Sequence, residues 1–148
     1  MSAPRVVYDT MVFLQSAVHP ERQHATFKAV EDGRLELCVS ADLIAEVRDV
    51  LTRPAMARKF STLTPERVAQ FLDSVIAVAS FTPEVPRAFD WPEHPDDNHL
   101  FDLAIHANAN YLVTWEMRLL RLPTEASTVA DLLKFGAAPD HPHPEAAG

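Results

Sequence analysis

The stretch that decides the fold covers residues 94–116 and reads HPDDNHLFDLAIHANANYLVTWE. Asp97 or Asn98 is placed to cap a helix, because a side-chain oxygen there can accept from the first unpaired backbone N–H groups. The apolar face of that helix comprises Leu100, Phe101, Ala104 and Ile105. Tyr111–Thr114 follows with the composition of a buried strand, and Glu116 lies just beyond it. A helix that leads directly into a strand indicates an α/β unit.

The same alternation continues toward the amino terminus. Arg5–Tyr8 predicts a buried strand that ends at Asp9, and Leu35–Val39 predicts a second strand, followed by Ser40 as a helix N-cap. The other predicted elements are helices over 12–18, 20–32, 65–79 and 124–135, a helix after Ser40 that Pro54 ends, and a third strand over 81–85. This pattern predicts an α/β fold with a mostly parallel central sheet.

The length and composition fit one globular domain. Two domains within 148 residues would each be too small to bury a sizeable core. We expect residues 1–135 to form the domain and the Pro/His/Ala tail over 136–148 to be disordered. The three glycines cannot form a GxGxxG motif or a P-loop, and the single Cys38 cannot form an internal disulfide or a multi-thiolate metal site. We expect a cytoplasmic protein with neither a signal peptide nor a membrane span.

The charge balance limits how the chain could bind a nucleic acid. The formal net charge is −8, from 21 acidic and 13 basic residues. Proteins that hold duplex DNA by charge alone are usually basic, so this class is disfavoured. The balance still allows an enzyme that acts on phosphates through bound metal ions.

Four acidic residues are predicted to converge at one edge of the sheet. Asp9 and Glu116 come at or just after the carboxyl ends of strands, where open parallel sheets bind ligands. Asp97 projects to the sheet side of its helix, and Glu46 lies at the edge of the apolar stripe of another. Converging carboxylates repel each other, and hard cations such as Mg²⁺ or Mn²⁺ relieve that repulsion because they prefer oxygen ligands.

Each acid also has a purely structural interpretation. Asp9 could cap the helix that follows it, Asp97 could be only an N-cap, Glu46 could be a solvated helix residue and Glu116 an ordinary loop acid. Judged alone, Glu46 fits the solvated interpretation better, whereas an acid that ends a buried strand favours function for Asp9. The four acids together are stronger evidence for a metal site than any one of them alone.

Several segments resemble one known family. Residues 7–13 (VYDTMVF) resemble an opening motif that usually reads D-T-N-V, and residues 39–47 (VSADLIAEV) resemble S-x-x-L-x-x-E. Residues 51–60 contain the basic stretch that often follows. Residues 94–116 resemble D-P-x-D-x-x-F-L-x-L-A and then A-D-Y-I-V-T-G-D, and residues 119–120 match a following L-L pair. With these segments in order, nearly the whole chain resembles a PIN domain, most closely the VapC-like toxin components of toxin–antitoxin systems.

The resemblance implies both a fold and an activity. It implies a PIN-like three-layer α/β/α sandwich and a Mg²⁺- or Mn²⁺-dependent endoribonuclease. The implied catalytic residues are Asp9, Glu46, Asp97 and Glu116. Of these, Asp9, Asp97 and Glu116 are the implied metal ligands, which would position water for in-line attack on an RNA phosphate. The implied partners are an RNA substrate, a cognate antitoxin protein and a second copy of the chain in a homodimer, with no membrane.

Further residues are assigned lesser roles near this site. The secondary site residues are Thr10, Asp96, Asp102 and Thr114. The resemblance implies that the two threonine hydroxyls hold a metal-bound water or a phosphate, whereas helical projection turns Asp102 away from the sheet. The candidate contacts to RNA phosphates are Arg53, Arg58, Lys59 and Arg118, since guanidinium groups suit bidentate bonds to phosphate.

The chain departs from the family pattern at three places. Met11 stands where Asn is usual, His94 replaces an acid, and Trp115-Glu116 replaces Gly-Asp. These departures favour an alternative function, a degenerate PIN domain that binds RNA or a protein partner without cleaving. A phosphatase is disfavoured because Met11 occupies the position of the second acid of D-x-D. His94 and His99 are interpreted as incidental residues of a loop and a helix start, not as ligands of Zn²⁺.

Overall fold

The computed structural model describes residues 3–19, 27–88, 98–113 and 134–136. The strands are β1 Arg5–Tyr8, β2 Glu36–Ser40, β3 Ser80–Thr82, β4 Tyr111–Val113 and β5 Lys134–Gly136. The helices are α1 Thr10–Val18, α2 over 27–31, α3 Ala41–Leu51, α4 Pro54–Lys59, α5 Pro65–Val78 and α6 Asn98–His106. Strands and helices alternate along the chain, which confirms the predicted α/β fold.

The five described strands form one sheet in the order β3-β2-β1-β4-β5, and every pairing between them is parallel. β1 is central, because Val6 pairs with Leu37 of β2 on one side and with Tyr111 of β4 on the other. The chain builds outward from β1 to β3 and then returns to the opposite side of β1. This reversal creates a crevice at the carboxyl ends of β1 and β4, where open parallel sheets bind ligands.

Helices α3 and α6 pack on the sheet beside this crevice. α3 contacts β2 and α1, and α6 contacts β1 and β2. Their inward side chains have almost no exposed surface: Leu43, Val47 and Leu51 of α3 and Leu100, Phe101 and Leu103 of α6. Burying one such side chain contributes about 1.5–3 kcal/mol. The core therefore fixes the start of α1, the middle of α3 and the start of α6 near one another.

The start of α3 follows the sequence prediction. The hydroxyl oxygen of Ser40 accepts from the backbone N–H of Leu43 at 3.0 Å, which makes Ser40 the N-cap. Thr64 likewise caps α5 by accepting from the backbone N–H of Arg67 at 3.2 Å. None of the described helices is both long and apolar enough to cross a membrane.

The element boundaries differ from the prediction at three places. Pro54 does not merely end a helix: α3 stops at Leu51, and Pro54 begins the short α4, where its missing N–H is not needed. The third strand is shorter and earlier than predicted, Ser80–Thr82. The predicted helix over 124–135 is wrong at its end, because Lys134–Gly136 is a strand paired in parallel with β4. Strand pairing there overrides the local helical pattern. The rest of that predicted helix, and the tail after Gly136, lie outside the described residues.

Candidate functional site

The crevice at the end of the central strand begins with Asp9. Asp9 follows β1 directly, and its backbone N–H donates to the carbonyl oxygen of Val113 at 3.1 Å. This bond joins the carboxyl ends of β1 and β4. Asp9 therefore lies between the ends of β1 and β4, where the direction in which strands are added to the sheet reverses.

Asp9 is both a helix cap and a buried acid. Its Oδ1 accepts from the backbone N–H of Val12 at 3.2 Å, so the structural interpretation of this residue holds for the start of α1. The residue is only 4% exposed. A carboxylate is expensive to bury unless it is hydrogen-bonded or paired with a cation. Capping and a role at the site are therefore compatible at this position.

The carboxylate of Glu46 is hydrogen-bonded to the start of α1. Thr10, the neighbour of Asp9, donates from Oγ1 to Oε2 of Glu46 at 2.5 Å. His99 contacts the same Oε2 through its Nε2 at 2.9 Å. The side chain of Glu46 is 37% exposed, but it is bonded on its inner side rather than freely solvated. Glu46 is therefore partly solvated and at the same time bonded to two other helices.

The surroundings of Glu46 keep its carboxylate charged. Burial by itself raises the pKa of Glu46, but hydrogen bonds from His99 and Thr10 and the positive charge of Arg53 outweigh burial. The net result is a pKa below the usual value for glutamate. An ionised carboxylate can accept a proton or contribute to a cation site.

Replacing Thr10 by Val is expected to raise the pKa of Glu46, because Val keeps the shape but removes a donor to the ionised form. The lowered pKa implies a stabilisation that is present above the usual glutamate pKa and is lost as the pH falls through the folded value; Thr10→Val should weaken it. Carboxyl ¹³C NMR titration measures the shift, with Thr62→Val, an exposed position, as the matched control. An unchanged Glu46 pKa in Thr10→Val would contradict this assignment.

The structure adds one residue that the sequence interpretation missed. His99 was predicted to be incidental, yet its ring contacts Glu46 from the first turn of α6. Its Nδ1 is buried, and no described residue forms a hydrogen bond with it. One feature of the sequence could have indicated His99: it follows Asp97 by two residues, at the start of a helix that is predicted to reach the site. Sequence alone does not reveal that α3 presents Glu46 to that turn.

Asp102 has a structural contact. It is buried, and its Oδ1 accepts from the backbone N–H of Ala88 at 2.8 Å, which ties the segment after β3 to α6. Its lower rank among the predicted site residues stays a prediction. Within the described residues, no group of three His, Cys, Asp or Glu side chains could hold a metal ion.

Five of the twelve predicted site residues lie outside the described ranges. The predicted site residues outside them are Asp96, Asp97, Thr114, Glu116 and Arg118. Asp97 directly precedes α6 in the sequence, and Thr114 directly follows β4. The structure therefore brings together Asp9, Thr10 and Glu46 of the predicted set and adds His99 to them.

The predicted basic residues lie on and beside α4, which buries none of its residues. Arg53 pairs with Asp49 at 2.9 Å, an exposed pair that contributes little to stability. Arg58 and Lys59 occupy the last turn of α4, and the Lys59 Nζ lies 5.4 Å from the centre of the Phe60 ring. This surface can offer positive charge to a phosphate chain.

Comparison with known proteins agrees with this architecture. The model of the PIN domain family matches residues 5–118 of the chain. No curated protein matches it in sequence. A similar solved structure is described as "Crystal structure of VapBC2 from Rickettsia felis bound to a DNA fragment from their promoter", with a TM-score of 0.57 and 12% identity over 90% of this chain and 98% of that chain. At that identity the likeness shows the fold alone, and it confirms the expected PIN-like α/β/α sandwich.

Proposed function

Because the chain belongs to the PIN domain family, we propose that it is a Mg²⁺- or Mn²⁺-dependent endoribonuclease that hydrolyses RNA phosphodiester bonds. PIN domains are generally nucleases, and the family generally uses a divalent metal. The observation that carries the proposal is the pair of acids at the carboxyl end of central β1. Asp9 lies there, and the hydroxyl of the following residue, Thr10, donates to Glu46.

The described acids would supply part of the ligand set of a hard divalent cation. The side chain of Asp9 is nearly fully buried. Hydrogen bonds from its neighbours favour the charged form of Glu46. Both carboxylates have oxygen atoms of the kind that Mg²⁺ and Mn²⁺ prefer. In the proposal Asp9, Asp97 and Glu116 hold the ion. A bound ion supplies positive charge to an RNA phosphate and lowers the pKa of water. The free Cys38 takes no part, since burial raises the pKa of its thiol to about 11.

The chain's own side chains then orient and activate the reactants. Glu46, kept charged by Thr10 and His99, accepts a hydrogen bond from the attacking water and aligns it with the scissile phosphate. In this proposal Thr114 contacts the same phosphate. The neighbouring phosphates are bound by Arg53, Arg58, Lys59 and Arg118. Because acidic residues outnumber basic ones in the chain, the hold on RNA comes from local cations and not from the overall field.

The proposal includes a partner and a setting. The similar structure from Rickettsia felis is a VapBC2 assembly on promoter DNA, and we propose that this chain likewise pairs with an antitoxin protein that blocks its acidic crevice. We further propose a homodimer in the reducing cytoplasm, a setting compatible with the free buried thiol of Cys38. Co-purification of the chain with the product of an adjacent small gene tests the antitoxin directly.

Purified protein should cut single-stranded RNA when Mg²⁺ or Mn²⁺ is added, should stop when EDTA removes the metal and should recover when Mn²⁺ returns. The readout is the appearance of discrete fragments on a denaturing gel. Undiminished cutting in EDTA would refute the metal dependence. Intact RNA that is nevertheless bound would favour the degenerate, non-cleaving PIN domain. The motives for that alternative are Met11, which is exposed, His94 and Trp115-Glu116.

A further inference from the structure

One carboxylate oxygen of Glu46, a residue of α3, is hydrogen-bonded to residues of two other helices. Oε2 accepts from the Thr10 hydroxyl at the start of α1, 2.5 Å away, and from His99 Nε2 in the first turn of α6, 2.9 Å away. Glu46 itself lies in the middle of α3. Within the described residues, the other oxygen, Oε1, has no hydrogen bond. The two oxygens of this carboxylate are therefore in different situations.

We propose that His99 is a positioning residue for Glu46, which holds Oε2 together with Thr10 so that Oε1 is the oxygen that acts in RNA hydrolysis. This inference rests on the proposed function and specifies which oxygen of Glu46 contacts the attacking water. A glutamate side chain can occupy several rotamers. Two donors from separate helices on one oxygen restrict that freedom before the substrate binds, and preorganisation of this kind lowers the barrier of the chemical step.

The chemistry of the two groups fixes the direction of the hydrogen bond. An ionised carboxylate only accepts, so His99 Nε2 carries the hydrogen. Since Nδ1 of the same ring has no hydrogen-bond partner among residues 3–19, 27–88 and 98–113, the bond to Glu46 is the polar contact in that part of the chain that orients the imidazole. The side chain of His99 is 22% exposed. Its carbon atoms are therefore largely buried, and its N–H donates to Glu46.

A purely structural role for His99 makes a different prediction. If the ring only fastened α6 to α3, its loss would lower stability and leave the turnover of the folded protein unchanged. If His99 positions Glu46, its loss should instead lower kcat and leave the KM for RNA nearly unchanged. A side chain that again donates a hydrogen bond to Glu46 should restore kcat. Outer-shell partners of this kind typically contribute about 10–100-fold to activity.

The test compares three variants of the full chain with Mn²⁺ and a single-stranded RNA. His99→Leu removes the donor and keeps an apolar side chain, whereas His99→Gln keeps an N–H at similar reach. His106→Leu, an exposed histidine in the same helix, is the matched control. We expect His99→Leu to lower kcat at least about tenfold with KM within about twofold, His99→Gln to recover most of it, and His106→Leu to match the wild type.

A second measurement does not depend on cleavage. Histidine ring ¹⁵N NMR of the wild type should show the His99 hydrogen on Nε2, with a resonance that moves in Glu46→Gln. A wild type that fails to cut RNA would refute the proposed function, and the NMR result would then still decide the positioning contact. An unchanged kcat in His99→Leu, no rescue by His99→Gln, or an Nε2 resonance indifferent to Glu46→Gln would each overturn the inference.

Discussion

Replacing Asp9 by Asn is expected to lower RNA cleavage at least about a hundredfold while leaving the fold intact. The reason is that Asp9 has two separable roles. Its Oδ1 caps α1 by accepting from Val12, and Asn caps helices about as well as Asp. Asn cannot supply the negative charge that a cation site requires. The measurement is the rate of fragment formation at saturating Mn²⁺, with urea unfolding to compare stability.

Asp9→Ala provides the contrast for that experiment. It should be as inactive as Asp9→Asn and in addition lose about 0.5–2 kcal/mol of stability, because the cap is removed. Asp73→Asn, at an exposed position of α5, controls for the loss of one negative charge and should remain active. Substantial cleavage by Asp9→Asn would contradict the assignment of this residue to the site.

Replacing Phe13 by Ala should lower the free energy of unfolding by about 3–5 kcal/mol, the usual range for a buried phenylalanine. Phe13 has no exposed surface, and its ring lies 6.0 Å from the rings of Tyr8 and Phe27. Because Phe13 sits on α1 beneath the acidic crevice, the cavity would loosen the helix that carries Thr10. Urea denaturation monitored by circular dichroism measures the change.

Phe81→Ala is the matched control for that substitution. Phe81 lies on β3 and is 46% exposed, so its loss should cost less than about 1 kcal/mol. Equal effects at the two positions would mean that the aromatic packing around β1 does not carry the stability attributed to it.

Much of the fold could be predicted because its signals are local. The N-caps at Ser40 and Thr64, the apolar face of α6 and the β-branched run at Val6 and Val7 each act over a few residues. The alternation of strands and helices then leaves few arrangements other than a parallel sheet. Asp9 could be predicted for the same reason, since an acid at the end of a buried strand is visible in the sequence.

What could not be predicted depends on contacts between distant parts of the chain. The bond between His99 and Glu46 spans 53 positions, and no pattern near either residue reveals it. Lys134–Gly136 has no strand periodicity of its own and becomes a strand because β4 offers an edge. At Pro54 the sequence shows where α3 must stop but not that a new helix begins, since the six residues of α4, none of them buried, show no apolar stripe.

The most direct test of the metal site is a crystal soaked in millimolar Mn²⁺ and measured for anomalous scattering. The proposed function predicts a Mn²⁺ peak in the crevice at the carboxyl end of β1, coordinated by the carboxylate of Asp9 together with Asp97 and Glu116. The same soak of Asp9→Asn crystals should show a weakened peak or none. A wild-type map without Mn²⁺ beside Asp9, or with the ion bound by residues away from these acids, would contradict the proposal.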